Sequence, residues 1–526
     1  MADDEYSLTK KIGLIGGPIL FVLLLMLPTP EGMSPEGHRA GAVAFLMAVW
    51  WMTEALPLAA TALLPVPLYP MLGVLSGKEV TLAYGDDNIF LFMGGFFIAM
   101  AMQKWGLHER IALNIVVKTG TDPSRLVLGF MLATAFLSMW ISNTATTLMM
   151  LPIAMAVITE MSKRSGKGDV AKFSVCLLLG VAYSASIGGV ATLIGTPPNG
   201  VLLSQYGEMF QTAPEGMSEA DYLASGLRAP DIGFLQWMMI GIPFSAVMLP
   251  MSWLLMTRVL FHFKDLHFEG AREEIQSRLT ALGKIGRGET IVLIVWIMTA
   301  LAWIFLKDIK LGGLTIPGWS NLFPNASYIR NSTVAMFAAI LLFALPVNLK
   351  KREFALDWEW AIKIPWGVLI LFGGGLAIAK AFTTTGLVVW VATKLTLLEG
   401  VSPLLVIVCI ALMLTFLTEL TSNLATTSIM LPILGSAVAP ALGVNPLLLM
   451  IPAAMSASCA FMLPVATPPN AIVFGGGHMT VAQMARAGLL INLMGVVLIT
   501  LITYFLAVPV FEIVLGEVPV WVQPTP

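Results

Sequence analysis

The chain has 526 residues, of which 57% are hydrophobic and only 11% charged; its mean hydropathy is +0.85. That composition excludes a soluble domain and requires a polytopic membrane protein. A net charge of −2 without a basic tail excludes nucleic acid as a partner, and the three cysteines, Cys176, Cys409 and Cys459, lack both disulfide-like and metal-ligand spacing.

The polar N-terminus leads into an apolar run from Ile12 to Leu27. Pro and Gly follow that run where a signal peptide would have a small-residue cleavage site, so it reads as a retained first helix. At roughly 20 residues per crossing, spanning stretches occur near 12–28, 40–56, 57–74, 86–117, 170–211, 231–262, 288–306, 330–347, 363–393, 446–474 and 481–514, about eleven in all. Two further apolar stretches, 125–160 and 403–441, are interrupted by small polar residues and read as re-entrant hairpins.

Basic residues gather in alternate loops: Lys118 and Arg125; Lys163, Arg164, Lys167 and Lys172; Arg258, Lys264, Arg272, Arg278, Lys284 and Arg287; and Lys350, Lys351 and Arg352. The segment from Ser204 to Asp231 is acidic, with Glu208, Glu215, Glu219, Asp221 and Asp231 against Arg228. Because Lys and Arg crowd cytoplasmic loops, the N-terminus is expected inside. The first hairpin then opens to the cytoplasm, and the second, flanked by Lys394 and Glu399, opens to the exterior.

The chain repeats itself. Leu91-Phe92-Met93-Gly94-Gly95 returns as Leu371-Phe372-Gly373-Gly374-Gly375, and Gly106-Leu107 returns as Gly386-Leu387. Ser142-Asn143 returns as Ser422-Asn423, and Met150-Leu151-Pro152-Ile153 as Met430-Leu431-Pro432-Ile433. The offset is constant at 280 (91 to 371, 142 to 422). Gly195-Thr196-Pro197-Pro198-Asn199 matches Ala466-Thr467-Pro468-Pro469-Asn470 at an offset of 271 (195 to 466). If the hairpins count as zero, an odd number of crossings separates equivalent points, so the second copy is inverted. Inverted repeats with interrupted helices near mid-membrane are the architecture of secondary transporters. Polar groups at that depth are costly unless they line a cavity or bind a ligand, so the two Ser-Asn runs mark a site. The prolines break their helices and free backbone groups beside it.

Ser458 to Val473, together with the paired Ser-Asn tips, resembles the divalent-anion:sodium symporters, a family that moves dicarboxylates, citrate or sulfate. The resemblance covers nearly the whole chain. It implies an all-α membrane protein with about eleven crossings and two re-entrant hairpins, assembled as a homodimer whose transport domain moves like an elevator against a scaffold. The implied division places scaffold helices at 1–83 and 231–347. The two parts of the transport domain fall at 84–211, with hairpin 125–160 and broken helix 170–211, and at 363–474, with hairpin 403–441 and broken helix 446–474. A C-terminal helix occupies 481–526.

The same resemblance implies a first sodium site from Ser138, Ser142, Asn143 and the Gly195 backbone. A second would use Thr418, Thr421, Asn423 and the Ala466 backbone. Substrate would meet Ser142, Asn143, Thr144, Thr196, Pro197, Ser422, Asn423, Thr467 and Pro468. These residues are neutral, and no Arg or Lys lies within the motifs. Hydroxyl and amide donors and helix N-termini therefore compensate a dianion only in part. Sodium ions beside it, bound by hard oxygen ligands, would supply the rest and couple the two fluxes. Leu424 departs from the fuller Ser-Asn-Thr pattern and leaves one hydroxyl missing.

These readings together predict a sodium-coupled symporter in the plasma (inner) membrane, carrying a C4-dicarboxylate such as succinate or malate, with citrate or sulfate behind. A sodium-independent exchanger on the same fold is the alternative. An intramembrane hydrolase would need a nucleophile and base, and the tips offer only Glu419 nearby; no catalytic residue is assigned. A channel would need a charged ring or carbonyl filter in place of closed tips. Glu419 has two open roles: tuning sodium or proton coupling, or making a structural ion pair or hydrogen bond.

Overall fold

A computed structural model describes residues 7–522 apart from 121, 165–166, 214–216, 219–220, 223–224, 263–268, 312–313 and 395–400. Glu215, Glu219, Lys264 and Glu399, used above to orient the chain, lie outside the described residues.

The first repeat is preceded by α1 (Leu8–Met26), α2 (Pro35–Thr53) and three short helices, α3 (Leu58–Thr61), α4 (Pro65–Met71) and α5 (Gly77–Ala83). Local chemistry sets the starts. Ser34 caps α2 by accepting from Gly37 N at 3.0 Å, and Ser76 and Glu79 form a reciprocal capping box on α5. The stretch expected as one crossing near 57–74 is instead α3 and α4. Pro57, Pro65, Pro67 and Pro70 remove the donors that a continuous helix would need.

The repeat begins with α6 (Asp87–Lys104) and α7 (Leu107–Thr119). Gly106 between them has φ 69°, and its counterpart Gly386 has φ 70° between α16 (Trp366–Thr384) and α17 (Leu387–Lys394). Glycine alone adopts that geometry without strain, so 86–117 and 363–393 are each a spanning helix followed by a separate arm. The sequence treated each as a single stretch.

The first hairpin is α8 (Pro123–Ser138) and α9 (Asn143–Arg164). The first broken helix is α10 (Lys167–Gly189) and α11 (Pro197–Phe210). Between the repeats lie α12 (Phe234–Leu254), α13 (Glu269–Ala281), α14 (Arg287–Ile304) and α15 (Asn331–Ala344). Two small antiparallel ribbons, Ile309–Leu311 with Leu314–Ile316 and Pro346–Asn348 with Glu353–Phe354, edge this region. The second hairpin is α18 (Pro403–Leu417) and α19 (Asn423–Pro432), the second broken helix α20 (Leu447–Ala457) and α21 (Pro468–Phe474), and α22 (Val481–Ile502) follows.

Among the described residues, nine helical stretches are long and apolar enough to cross a membrane, including one arm of each hairpin. Shorter apolar helices, among them the other arm of each hairpin, accompany these. Small residues let the helices approach closely. A Cβ on Gly94 would stand 2.6 Å from the Ala335 backbone, where α6 crosses α15, and one on Gly374 would stand 2.5 Å from the Ala62 carbonyl.

The repeats are interleaved. The first hairpin's α9 packs on α21 of the second repeat, and the second hairpin's α19 packs on α11 of the first. Each hairpin is therefore covered by the other repeat's half-helix. α12 lies against α8, α10 and α22.

Candidate functional site

Each tip joins a helix end to a helix start through four or five residues, and both tips close with the same contact. Ser138 Oγ lies 2.6 Å from the side-chain amide of Asn143, and Thr418 Oγ1 donates to Asn423 Oδ1 at 2.7 Å, with the Ala457 carbonyl 3.1 Å from the same hydroxyl. Behind each Asn a threonine bonds its carbonyl: Thr147 Oγ1 to Asn143 O at 2.8 Å and Thr427 Oγ1 to Asn423 O at 2.6 Å.

At the first tip, oxygens converge. Besides Ser138 Oγ, the position of Asn143 Oδ1 lies 3.1 Å from the Ala185 carbonyl and 3.3 Å from the Gly195 carbonyl. Oxygens this close require either the Asn143 amide turned so that its NH2 donates to them, or a cation among them. Neutral oxygen ligands suit a hard, singly charged cation such as sodium. Gly189 makes the approach possible, because a Cβ there would stand 2.5 Å from Asn143 Oδ1.

The broken helices are held open by their own motif. Asn199 Nδ2 donates to Thr192 O at 2.8 Å, and Asn470 Nδ2 donates to Leu463 O at 3.0 Å and Ala460 O at 3.2 Å. In each copy the Asn of Thr-Pro-Pro-Asn ties the start of the second half-helix to the linker before it. Thr196 and Thr467 sit at the N-caps and Pro197 and Pro468 at the first helical positions. Thr467 Oγ1 accepts from Asn470 N at 3.5 Å, whereas Thr196 makes no cap bond.

The two breaks are braced differently. Glu419, 3% exposed, accepts from Phe461 N at 2.6 Å, Met462 N at 2.9 Å, Leu463 N at 3.1 Å and Asn492 Nδ2 at 2.7 Å. Of the two roles left open by the sequence, these contacts fit the structural hydrogen bond. Its repeat counterpart is Met139, whose backbone carbonyl accepts from Thr192 Oγ1 at 2.5 Å.

The remaining expected residues fall as follows. Ser142 and Ser422 stand immediately before α9 and α19, and Ala145 N reaches Ser142 Oγ at 3.4 Å. Thr144 is half-buried, and Leu424, in the matching position, is buried. Thr421 turns into its own hairpin, donating to Leu417 O at 2.9 Å and pairing with Thr426 Oγ1 at 2.5 Å. Ala466 N donates to Leu463 O at 3.2 Å. Thr421 and Ala466 thus make their described contacts away from Asn423. The Ala185 and Ala457 carbonyls, which do meet the tip residues, were not foreseen; a backbone oxygen leaves no trace in residue type.

Ionisable residues elsewhere have partners of their own. Lys104 pairs with Asp357 at 2.7 Å and donates to Phe354 O, Arg110 makes a two-pronged contact with Glu289 at 2.8 and 3.1 Å, and Lys380 meets Glu208 at 3.3 Å.

The profile described as "Sodium:sulfate symporter transmembrane region" matches residues 9–512. The sodium-dependent dicarboxylate transporter SdcS of Staphylococcus saprophyticus is 43% identical over 517 residues, covering 97% of this chain and 94% of its own. SdcS of Staphylococcus aureus is 42% identical over 516 residues, covering 97% and 93%. In overall fold the chain is similar to two solved structures at 11% identity. These are the YdaH transporter of Alcanivorax borkumensis (TM-score 0.51, covering 95% of this chain and 97% of that one) and MtrF of Neisseria gonorrhoeae (TM-score 0.56, covering 96% and 97%).

Proposed function

Because the chain belongs to the sodium:sulfate symporter family, we propose that it is a sodium-coupled secondary transporter of a divalent anion, and that the anion is a C4-dicarboxylate of succinate or malate size. It is a transporter and not an enzyme, and sodium is its coupling ion. The observation that carries this reading is the convergence of three neutral oxygens, Ser138 Oγ, Ala185 O and Gly195 O, on the side-chain amide of Asn143 at the first tip. The dicarboxylate assignment rests on the relatives named SdcS.

The chemistry follows from what the tips lack. A dianion placed beside Ser142, Asn143, Thr144, Ser422 and Asn423 meets hydroxyl and amide donors and the starts of α9, α19, α11 and α21. It meets no fixed cation. Bound sodium supplies positive charge at this place, so anion affinity rises with sodium and neither flux proceeds well alone. Asn143 and Asn423 face both parts of the site, the hydroxyl before each tip and the half-helix beyond it. Thr196, Pro197, Thr467 and Pro468 border the anion.

The proposal extends to the assembly. The hairpins and broken helices, with α12 and α22 packed on them, move as one body across the membrane. The frame is α1 to α5 with α14 and α15, and α6 joins it through its close crossing with α15. This division transfers α6 to the frame and α12 to the moving body, relative to the division implied by the resemblance. Two copies associate through their frames in the plasma membrane, with each N-terminus in the cytoplasm. Uptake of labelled succinate into proteoliposomes tests the function. An inward sodium gradient should drive accumulation, and uptake that ignores sodium but requires internal succinate would make the protein an exchanger.

A further inference from the structure

Lys307 and Lys380 each reach from the frame to the moving body, at the end of the bundle that the charge pattern assigns to the exterior. Asp231 stands just before α12, on the body, and pairs with Lys307 just beyond α14, on the frame. Glu208, in α11 of the body, meets Lys380 of α16 at 3.3 Å. α16 stands with the frame, because Gly374 crosses the Ala62 backbone beyond α3 as closely as Gly94 of its counterpart α6 crosses Ala335 of α15. In both pairs the carboxylate belongs to the body and the ammonium to the frame.

The surroundings of the first pair suit a contact that opens. A cavity of about 490 Å³ lies beside it, with Trp303, Lys307 and Arg330 on the frame side and Asp231, Gln236 and Met239 on the body side. Frame and body are bridged across a gap here, not packed into a seam. The Lys307 and Asp231 side chains are 55% and 39% exposed, so water takes over both charges as they part and opening costs little desolvation. Arg228 belongs to the same segment as Asp231 and holds its other carboxylate oxygen at 2.7 Å, so Asp231 keeps a partner when Lys307 lets go. Beside the pair, Phe234 at the start of α12 stacks on Trp303, with ring centroids 4.6 Å apart and planes inclined by 15°. Trp303 stays with the frame, because its Nε1 donates to Asn331 O at 2.9 Å.

We propose that the pairs of Asp231 with Lys307 and of Glu208 with Lys380 form a releasable clasp, which holds the protein in the present conformation and sets how often the body leaves it. Movement of the body across the membrane carries both carboxylates away from both lysines, so the clasp opens once in every cycle. A pair as exposed as the first is weak and is screened by salt. It biases the balance between two conformations without locking either. The inference rests on the moving-body reading above.

Distances between spin labels in the reconstituted full-length protein test it. One label goes on Thr212→Cys, just beyond α11 on the body, and one on Leu322→Cys, in the frame loop after α14; both positions are exposed. Cys409, the exposed native cysteine, is first replaced by Ser, and Cys176 and Cys459 are buried. The labels should report two distances, one for the present conformation and one for the conformation with the body displaced. Lys307→Met and Glu208→Gln should each raise the displaced population about threefold relative to the present one. Choline chloride at about 1 M, where the screening length is about 3 Å, should move the parent protein in the same direction and Lys307→Met less. Lys307→Asp combined with Asp231→Lys rebuilds the pair with its charges exchanged and should return the balance toward the parent value. If Lys307→Met keeps the parent distances and salt response, or if the exchanged pair behaves like Lys307→Met, the clasp is overturned. A single distance in the parent protein, with and without sodium and succinate, would overturn the moving body itself and the clasp with it.

Discussion

Ser138 Oγ and the side-chain amide of Asn143 meet at 2.6 Å, across five residues and the whole turn of the first tip. Because Thr418 Oγ1 meets the Asn423 side chain at 2.7 Å, the duplicated sequence keeps a duplicated pairing. Removing the Asn side chain at either tip should weaken sodium and substrate together. Asn143→Ala and Asn423→Ala are each expected to raise the sodium half-saturation of uptake at least about tenfold, equivalent to about 1.4 kcal/mol. Normal sodium dependence in either variant would break the site assignment.

Gly189→Ala removes no oxygen, yet its Cβ would stand 2.5 Å from Asn143 Oδ1. The amide must then shift. Sodium-driven uptake should fall to near background although the protein remains folded by size-exclusion chromatography. A silent Gly189→Ala would show that Asn143 does not need its present position.

Glu419 should govern stability. Gln in its place keeps one acceptor oxygen but turns an NH2 toward backbone donors that now meet a carboxylate. Losing charge-assisted bonds to a buried group costs about 2–4 kcal/mol, and Glu419→Gln should melt well below wild type. Asn492→Ala removes one donor and leaves three, so its cost should be nearer 1 kcal/mol. Equal melting temperatures for Glu419→Gln and wild type would contradict the brace.

Leu424 is the residue to change for selectivity. Leu424→Thr restores a hydroxyl donor beside Ser422 and Asn423, which favours anions richer in acceptors. Relative uptake of sulfate against succinate is expected to rise severalfold, a shift of about 1 kcal/mol from one added hydrogen bond, with sodium dependence preserved. An unchanged ratio would remove this position from anion recognition.

Asp231 joins Lys307 and Arg228 between the start of α12 and the end of α14. Burial alone would raise the Asp231 carboxyl, but the Lys307 ammonium and the Arg228 guanidinium outweigh it and hold the group below its ordinary 3.8. A depressed carboxylate stabilises the fold fully above its unfolded value, and the contribution is lost as pH falls through the lower folded value. Thermal stability of wild type and Asp231→Asn should therefore differ by a constant small amount, under about 1 kcal/mol for a group this exposed, from neutral pH down to about 4. The curves should converge below that. A difference that grows on acidification would reverse the sign.

The hairpins, the breaks and their pairing were legible because each is written twice in side chains. An offset of 280 joins Ser142 to Ser422, and one of 271 joins Pro197 to Pro468. The division at Gly106 and Gly386 was written twice as well, yet a hydrophobicity window runs straight across a single left-handed glycine. The Ala185 and Ala457 carbonyls were illegible for another reason: every residue carries one, and only the break in the helix decides which of them turns toward an ion.

The crosswise packing of the repeats bears on how the chain is made. α9 rests on α21, residues 143–164 against 468–474. At about 5–20 residues per second, the first hairpin leaves the ribosome tens of seconds before the segment that covers it. During that interval the tip has its partners Ala185, Gly195 and Thr192, but the outer face of α9 lacks the half-helix that covers it. The hairpin completes its packing only when the second repeat arrives. Chains halted after residue 211 should then leave a cysteine placed at position 144 open to aqueous labelling, and the same cysteine should close once residues up to 474 have been added.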